Sequence, residues 1–455
     1  MAGSTRSDVA LLYRRAGFGL RPGELDQVAA GGYVAAVEQL IAGLGAAPDP
    51  AGDALAAPTF TAGPPVERPA GAGADPAAVA AHNKAVAADL DTLQRWWMDR
   101  MIVTSTPLRE KLTLFWHGHF ATGISKVRDA RLMYLQNQMF RTSGAGGFEN
   151  LMQQVAKDGA MMIWLDTSTD KKAHPNENFA REMMELFTLG IGNYTQDDVV
   201  AAARGFTGWV YDRLTYRYGF QPRQHDYGTK TYLGQTGDWN GEDIVRIAVT
   251  RPESARFVLA GLWSHFAYPV QPSDPVVSDL LAAYGPGLDI TAALRALFLH
   301  PAFLSPASRT GLVKQPAEFL VGAARALGLD AGGKPATAGG TSPAVHSGGP
   351  PLPRMASALG QTLFDPPNVG GWGQNGYWLS TDTAWLRLEA GSALARRGDL
   401  QALHGLPPGQ RLAGVASLLG VDGWGPTTAG ALARVASDPV QLTALALTTP
   451  EYVLA

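Results

Sequence analysis

The chain contains no cysteine. That excludes disulfides, thiolate nucleophiles, and zinc or iron–sulfur sites built on cysteine. No run approaches the ~18 apolar residues of a membrane span, so no membrane span is expected. Charge is sparse: charged residues make up 17% of the chain, and the formal net charge is -3. There is no long Lys/Arg run, so the footprint of a nucleic-acid or anionic-membrane binder is missing. Gly144-Ala145-Gly146-Gly147 lacks the Lys-Ser/Thr and preceding strand of a phosphate loop. No Gly-x-Ser-x-Gly elbow occurs either. Arg14-Arg15 is followed by Ala16-Gly17-Phe18-Gly19-Leu20-Arg21-Pro22, too short and polar for a twin-arginine leader, so a cytoplasmic protein is the default expectation.

What is present is ample apolar material, 46% of 455 residues. That is enough for more than one core. Apolar spacing near 3.6 predicts a mainly α fold: a multi-helix globular bundle with a small β-hairpin or irregular insertion and long Pro/Gly-rich loops. The expected organisation is an N-terminal helical segment over 1–43, read as two short helices, and an Ala/Pro/Gly-rich linker over 44–76. A central helical core follows over 77–208, with helices at 147–157, 176–189 and 196–207. Short aromatic runs at Trp209-Val210-Tyr211, Tyr216-Arg217-Tyr218 and Thr231-Tyr232-Leu233 predict the insertion at 209–240. Helices resume over 241–330, a flexible loop spans 331–353, and the tail over 354–455 is helical around an irregular 364–378.

The most informative segment is Asn176-Glu177-Asn178-Phe179-Ala180-Arg181-Glu182-Met183-Met184-Glu185. On a regular helix, Asn178, Arg181, Glu182 and Glu185 share one face of an otherwise apolar rod. Arg181 and Glu185 are spaced to pair. Glu182 is then undercompensated, and such a carboxyl titrates high and serves as a general acid or base. The competing account is a structural ion network. His117-Gly118-His119 closes an apolar helix. In extended chain its imidazoles would point the same way and, with Glu182, could hold a divalent metal. Otherwise they shuttle protons or cap the helix. Gln224-His225-Asp226-Tyr227 lies in the irregular insertion, as substrate-binding residues, further ligands or a solvated turn. Phe364-Asp365-Pro366-Pro367-Asn368-Val369-Gly370-Gly371-Trp372, with Trp378, is a rigid aromatic segment. Its glycines admit another backbone closely, and its tryptophans form a stacking wall or a structural plug.

Taken in order, several stretches resemble a large bacterial family, domain of unknown function 1800. They are Leu11-Leu12-Tyr13-Arg14-Arg15-Ala16-Gly17-Phe18-Gly19, Phe115-Trp116-His117-Gly118-His119-Phe120, and Pro175 through Glu182. Glu185-Leu186-Phe187-Thr188-Leu189-Gly190, Ala203-Arg204-Gly205-Phe206-Thr207-Gly208-Trp209, His225-Asp226 and Pro366 through Trp372 complete the set. The resemblance implies a mainly helical fold. It also implies export by the twin-arginine route in many members, and a neighbouring partner of a sulfatase-like family. It carries over no catalytic residues.

The leading functional expectation is a hydrolase of a glycan or other polar polymer, with Glu182 and Glu185 as the carboxylates. Asn178 and Arg181 would position the substrate, with His117 and His119 near the reacting centre. Asp226 or Asp365 is an alternative second carboxylate. A metal-dependent enzyme on His117, His119 and Glu182, or a non-enzymatic binding or assembly protein, stands beside it.

Overall fold

The computed structural model describes residues 2–45, 47–63, 75–168, 170–332 and 350–454. Helices dominate, and two small antiparallel sheets form among these residues. Most of the expected helices begin where local chemistry says they should. Thr195 accepts from the Asp198 backbone while the Asp198 side chain accepts from the Thr195 N–H, a reciprocal cap that opens Gln196–Phe206. Pro107 opens Pro107–His119, where a missing N–H costs nothing.

Several boundaries differ from expectation. The first 43 residues hold three helices, Ala2–Arg15, Glu24–Ala30 and Tyr33–Ala42. Gly31-Gly32 breaks the second expected helix, and Gly32 sits at φ 85°, a left-handed value that suits glycine. The segment read as a linker contains the short helix Pro50–Asp53, and Asp49 just before it is fully buried. Its residues 64–74, and 333–349 of the expected loop, lie outside the described residues. The insertion at 209–240 is two hairpins. Trp209–Asp212 pairs with Arg217–Phe220, with Tyr211 opposite Tyr218, and Lys230–Tyr232 pairs with Gln235–Gly237.

Buried apolar side chains gather into two clusters. One joins the N-terminal helices to the helices between 107 and 303, with Trp116, Phe148, Trp209 and Trp263 at its heart. The other joins Pro76–Val103 to the chain beyond Val313, around Trp97, Phe319, Phe364 and Trp378. Pro107–His119 contributes to both, through Trp116 on one side and Leu114 on the other.

An ion cluster ties that helix to its neighbours. Glu110 is fully buried. Its carboxylate accepts from Arg141 Nε at 2.6 Å and Nη2 at 2.9 Å, from Arg100 Nε at 2.9 Å, and from Trp97 Nε1 at 3.0 Å. Arg100 also reaches Asp53 at 2.7 Å and Asp49 at 3.2 Å. Burial pushes the Glu110 carboxyl up, but the Arg141 and Arg100 guanidiniums outweigh it and hold the group below the usual range.

Removing this charge strands the buried Arg141 guanidinium and takes one of three carboxylates from Arg100, so Glu110→Gln should lower unfolding free energy by about 3–5 kcal/mol in urea titration. The depressed pKa makes the wild-type contribution complete above the ordinary value of 4.5 and lost as pH falls through the lower folded value. The stability gap between wild type and variant should therefore narrow in acid; a pH-independent gap would contradict the assignment.

Candidate functional site

The two histidines of His117-Gly118-His119 do not converge. The helix continues through His119 rather than opening at Gly118. Residues two apart on a helix point about 200° away from each other. His117 is 1% exposed, and its ring packs against Trp97, Phe140 and Phe364. Asn137 Nδ2 donates to its Nε2 at 3.1 Å. Burial, with help from Arg141, holds its pKa down to about 3. An imidazole sealed in a core, its charged form opposed by burial, is poorly placed to shuttle protons or to meet substrate. His119 turns the other way. Its Nε2 donates to the Phe187 carbonyl at 2.9 Å, which leaves Nδ1 as the acceptor. Burial lowers its pKa to about 4.

The expected His117–His119–Glu182 ligand set therefore does not assemble. No group of three or more His, Asp or Glu suited to a metal ion forms among the described residues.

The segment after Asn176 is not one regular helix. An α-helix, Glu177–Glu182, passes into a π-helix, Met183–Thr188. Asn176 caps its start by accepting from the Asn178 N–H. The wider turn rotates Glu185 off the stripe expected for it. Arg181 accordingly pairs backward with Glu177 at 2.9 Å and with Gln196 at 2.9 Å, not forward with Glu185. Glu185 accepts from the Tyr194 hydroxyl at 2.5 Å. Asn178 is exposed and reaches Asp166 at 3.4 Å.

Glu182 is half-buried and makes no hydrogen bond or ion pair with the described residues. Burial raises its pKa, the nearby Glu185 adds to the rise, and Arg181 opposes it.

A cleft of about 390 Å³ opens beside the π-helix. Leu186 lines it, together with Gly118 and His119, Phe257 and His265 from Pro252–Phe266, and Trp372. Gln271, Gln315 and Gln374 supply amides at its wall. His265 Nε2 and Trp372 Nε1 are buried and have no hydrogen-bond partner. Burial, then the neighbouring Lys111 charge, holds the His265 pKa down to about 3. Neither Glu182 nor Glu185 is among the lining residues. His265 was not singled out by sequence: a lone histidine on an apolar helical stripe reads as core.

The Pro366–Trp372 segment reaches the cleft as its glycines allow. Gly371 has φ 85°, and a Cβ there would stand 2.3 Å from the Gly118 carbonyl oxygen. The backbone of one motif thus rests directly on the backbone of the other. Trp378 does not join the wall. It is 1% exposed and buried in the second core, so it cannot stack on a substrate. His225 and Asp226 also lie elsewhere. Asp226 is held by Arg204 at 2.7 and 3.2 Å, which keeps its pKa down to about 2, and His225 Nδ1 donates to the Thr207 carbonyl at 2.8 Å. They clasp the hairpin to Gln196–Phe206. Asp365 accepts from the Ser125 N–H at 3.2 Å.

A further carboxyl sits at the foot of the glutamate helix. Asp170 is buried and accepts from the Asn176 N–H at 2.9 Å through Oδ1, while its Oδ2 has no partner. Burial raises its pKa to about 7. A folded value above the unfolded one means that stability is lost as pH rises through about 7. Asp170→Asn should therefore stabilise the protein at pH ~8, by at least about 1–2 kcal/mol, an advantage that shrinks as pH falls below about 7 and is gone only near the ordinary value of 3.8. Thermal denaturation across that range reads the difference; equal melting temperatures at every pH would contradict it. Gly371→Ala should cost at least about 2 kcal/mol in chemical denaturation, through both strain and collision with Gly118. Wild-type stability in that variant would mean that the two backbones do not meet.

No described helix is long and apolar enough to cross a membrane. No curated protein and no solved structure matches the chain. One family does: its model matches residues 11–454, which takes in the N-terminal arginine motif, both cleft-forming motifs and the glutamate helix. The chain belongs to the family described as "Protein of unknown function (DUF1800)".

Proposed function

We propose that the cleft beside the π-helix binds a polar, carbohydrate-like ligand and that the protein is a hydrolase in which Glu182 supplies the proton. The carrying observation is Glu182 itself: a half-buried carboxyl without a hydrogen-bond partner, whose pKa is raised by burial and by Glu185. It precedes Leu186, which lines the cleft, by four residues, with the start of the π turn between them. A carboxyl whose pKa is raised holds its proton longer than an ordinary glutamate and suits donation to a leaving oxygen. Glu185, fixed by Tyr194, is the second carboxylate, available to steady positive charge at the reacting carbon or to orient water.

The cleft suits such a ligand. Trp372 and Phe257 give it aromatic walls, and sugar rings pack their C–H faces on such surfaces. His265 Nε2 and Trp372 Nε1 are two buried nitrogens left for ligand oxygens or hydroxyls. His119 Nδ1 is a third, as an acceptor. The same unpartnered nitrogens support a second reading, a binding protein without catalysis.

Glu182→Gln separates the two. It removes the acidic proton but keeps the shape. Assayed on aryl glycosides and polysaccharides hydrolysed by the wild type, the folded variant should lose at least about a hundredfold in kcat with ligand affinity retained. A carbon-detected NMR titration should place the Glu182 carboxyl above an ordinary glutamate. Full activity in Glu182→Gln would remove the acid role. Absence of hydrolysis by the wild type, with oligosaccharide binding lost in Trp372→Ala, would favour the binding protein.

A further inference from the structure

A second cavity lies away from the glutamate helix, against the N-terminal motif that the cleft does not use. It has a volume of about 310 Å³ and is lined by Arg14, Gly17 and Phe18, by Lys314, Glu318 and Gly322, and by leucines of 400–419. Its most buried lining residues include Lys314 at 7% and Tyr452 at 2% exposure, so the cationic end is deep.

Positive charge is in excess around it. Arg14, Arg15, Lys111 and Lys314 lie within electrostatic reach of one another, and Glu318 is the carboxylate among them. Glu318 is already committed to Lys111 at 2.5 Å. Asp422 faces Arg14 but is shared with Arg309, which also holds Asp8. The remaining cations rest on neutral groups. Lys314 Nζ donates to the Tyr452 carbonyl at 2.7 Å and stands 3.4 Å from the centre of its ring. Arg14 Nη1 donates to the Gly420 carbonyl, and Arg15 Nη2 to the Ser308 carbonyl. The Nε atoms of both arginines are buried without a partner. Burying cations without counter-charge costs several kcal/mol per ion. Burial holds the Lys314 pKa well below the usual lysine range, and an anion entering the hollow would favour its charged form.

The other lining groups say what kind of anion. Arg6 is occupied by Asp26 at 2.7 Å, and Arg21 by the carbonyls of Ile102 and Leu329. Three lining cations, Arg14, Arg21 and Lys314, are thus held by carbonyls with no ion pair to a carboxylate; of these Lys314 is the most buried and Arg14 keeps a buried, unpartnered Nε. Much of the remaining wall is apolar, with Leu25, Leu400, Leu403, Leu406 and Leu419, beside Asp26 and Asp399. We propose that this cavity binds an amphipathic monoanion, an alkyl carboxylate whose head meets Arg14 and Lys314 and whose chain lies along the leucines. A singly charged head meets less repulsion from the Glu318 carboxylate than a multiply charged phosphate would.

Isothermal titration of the full chain with decanoate tests this, with acetate and decanol as head-only and tail-only probes. Decanoate should bind saturably at one site and raise the melting temperature, and acetate and decanol should bind at least about tenfold more weakly. Lys314→Met and Arg14→Gln, each confirmed folded by circular dichroism, should each weaken decanoate about tenfold or more. If one variant does not fold, the other carries the comparison. Absence of saturable decanoate binding, equal affinity for acetate or decanol, or unchanged affinity in a folded variant would overturn the assignment.

Discussion

Glu110 is the constraint on which the rest of the molecule hangs. Four hydrogen bonds converge on its carboxylate, from Trp97 and Arg100 on Pro76–Val103 and from Arg141 on Ala130–Ser143, so three helices meet at one charge. A charge sealed from water leaves little freedom in how those helices meet, because any slip exposes an uncompensated ion to a low dielectric. The helix it belongs to, Pro107–His119, feeds both apolar cores and ends in the motif that floors the cleft. The angle at which His119 leaves that helix is thus tied to an ion cluster more than two turns earlier.

Elements whose cause is local were legible in the chain. The reciprocal cap at Thr195 and Asp198, the proline at the head of Pro107–His119 and the aromatic hairpin at Trp209 all follow from residues a few positions apart. So did the close approach foreseen at Gly370-Gly371, where the structure names the partner as Gly118. What stayed hidden was non-local. Glu110 sits in the first turn of its helix, where an acid reads as dipole compensation, and its partner Arg141 is 31 residues away. The glycine at 118 suggested an opened helix end, but Phe115, Trp116 and Phe120 stack around His119 and keep the turn wound. A π turn has no spacing signature that a 3.6 period can reveal, which is why Arg181 and Glu185 seemed paired on paper and are not in space.

The candidate site divides along the same line. Glu182, Glu185 and Trp372 were visible as residue types that chemistry uses. His265 and the glutamines were not, because nothing near them in sequence marks them out. Asp170 is similar: a carboxyl in a turn is ordinary until the fold buries one oxygen and leaves it unbonded. The deep cation cluster is built from Arg14, Lys111 and Lys314, spread over three hundred residues. Both hollows border one helix, Pro316–Ala326, or the residue just before it: Gln315 faces the cleft and Glu318 the cationic cavity.

The change from α to π at Met183 has a consequence for how this segment tolerates length. A π turn takes in one more residue than an α turn. A deletion inside Met183–Thr188 would let that stretch relax to ordinary winding, and the chain would still leave near the same point. A deletion inside Glu177–Glu182 has no such slack, and every following side chain would swing by about 100° around the rod. Deletions are thus absorbed on one side of Met183 and re-aim Glu182 on the other, so the bulge works as a spacer that separates the setting of the Glu182 direction from the setting of the exit at Gly190.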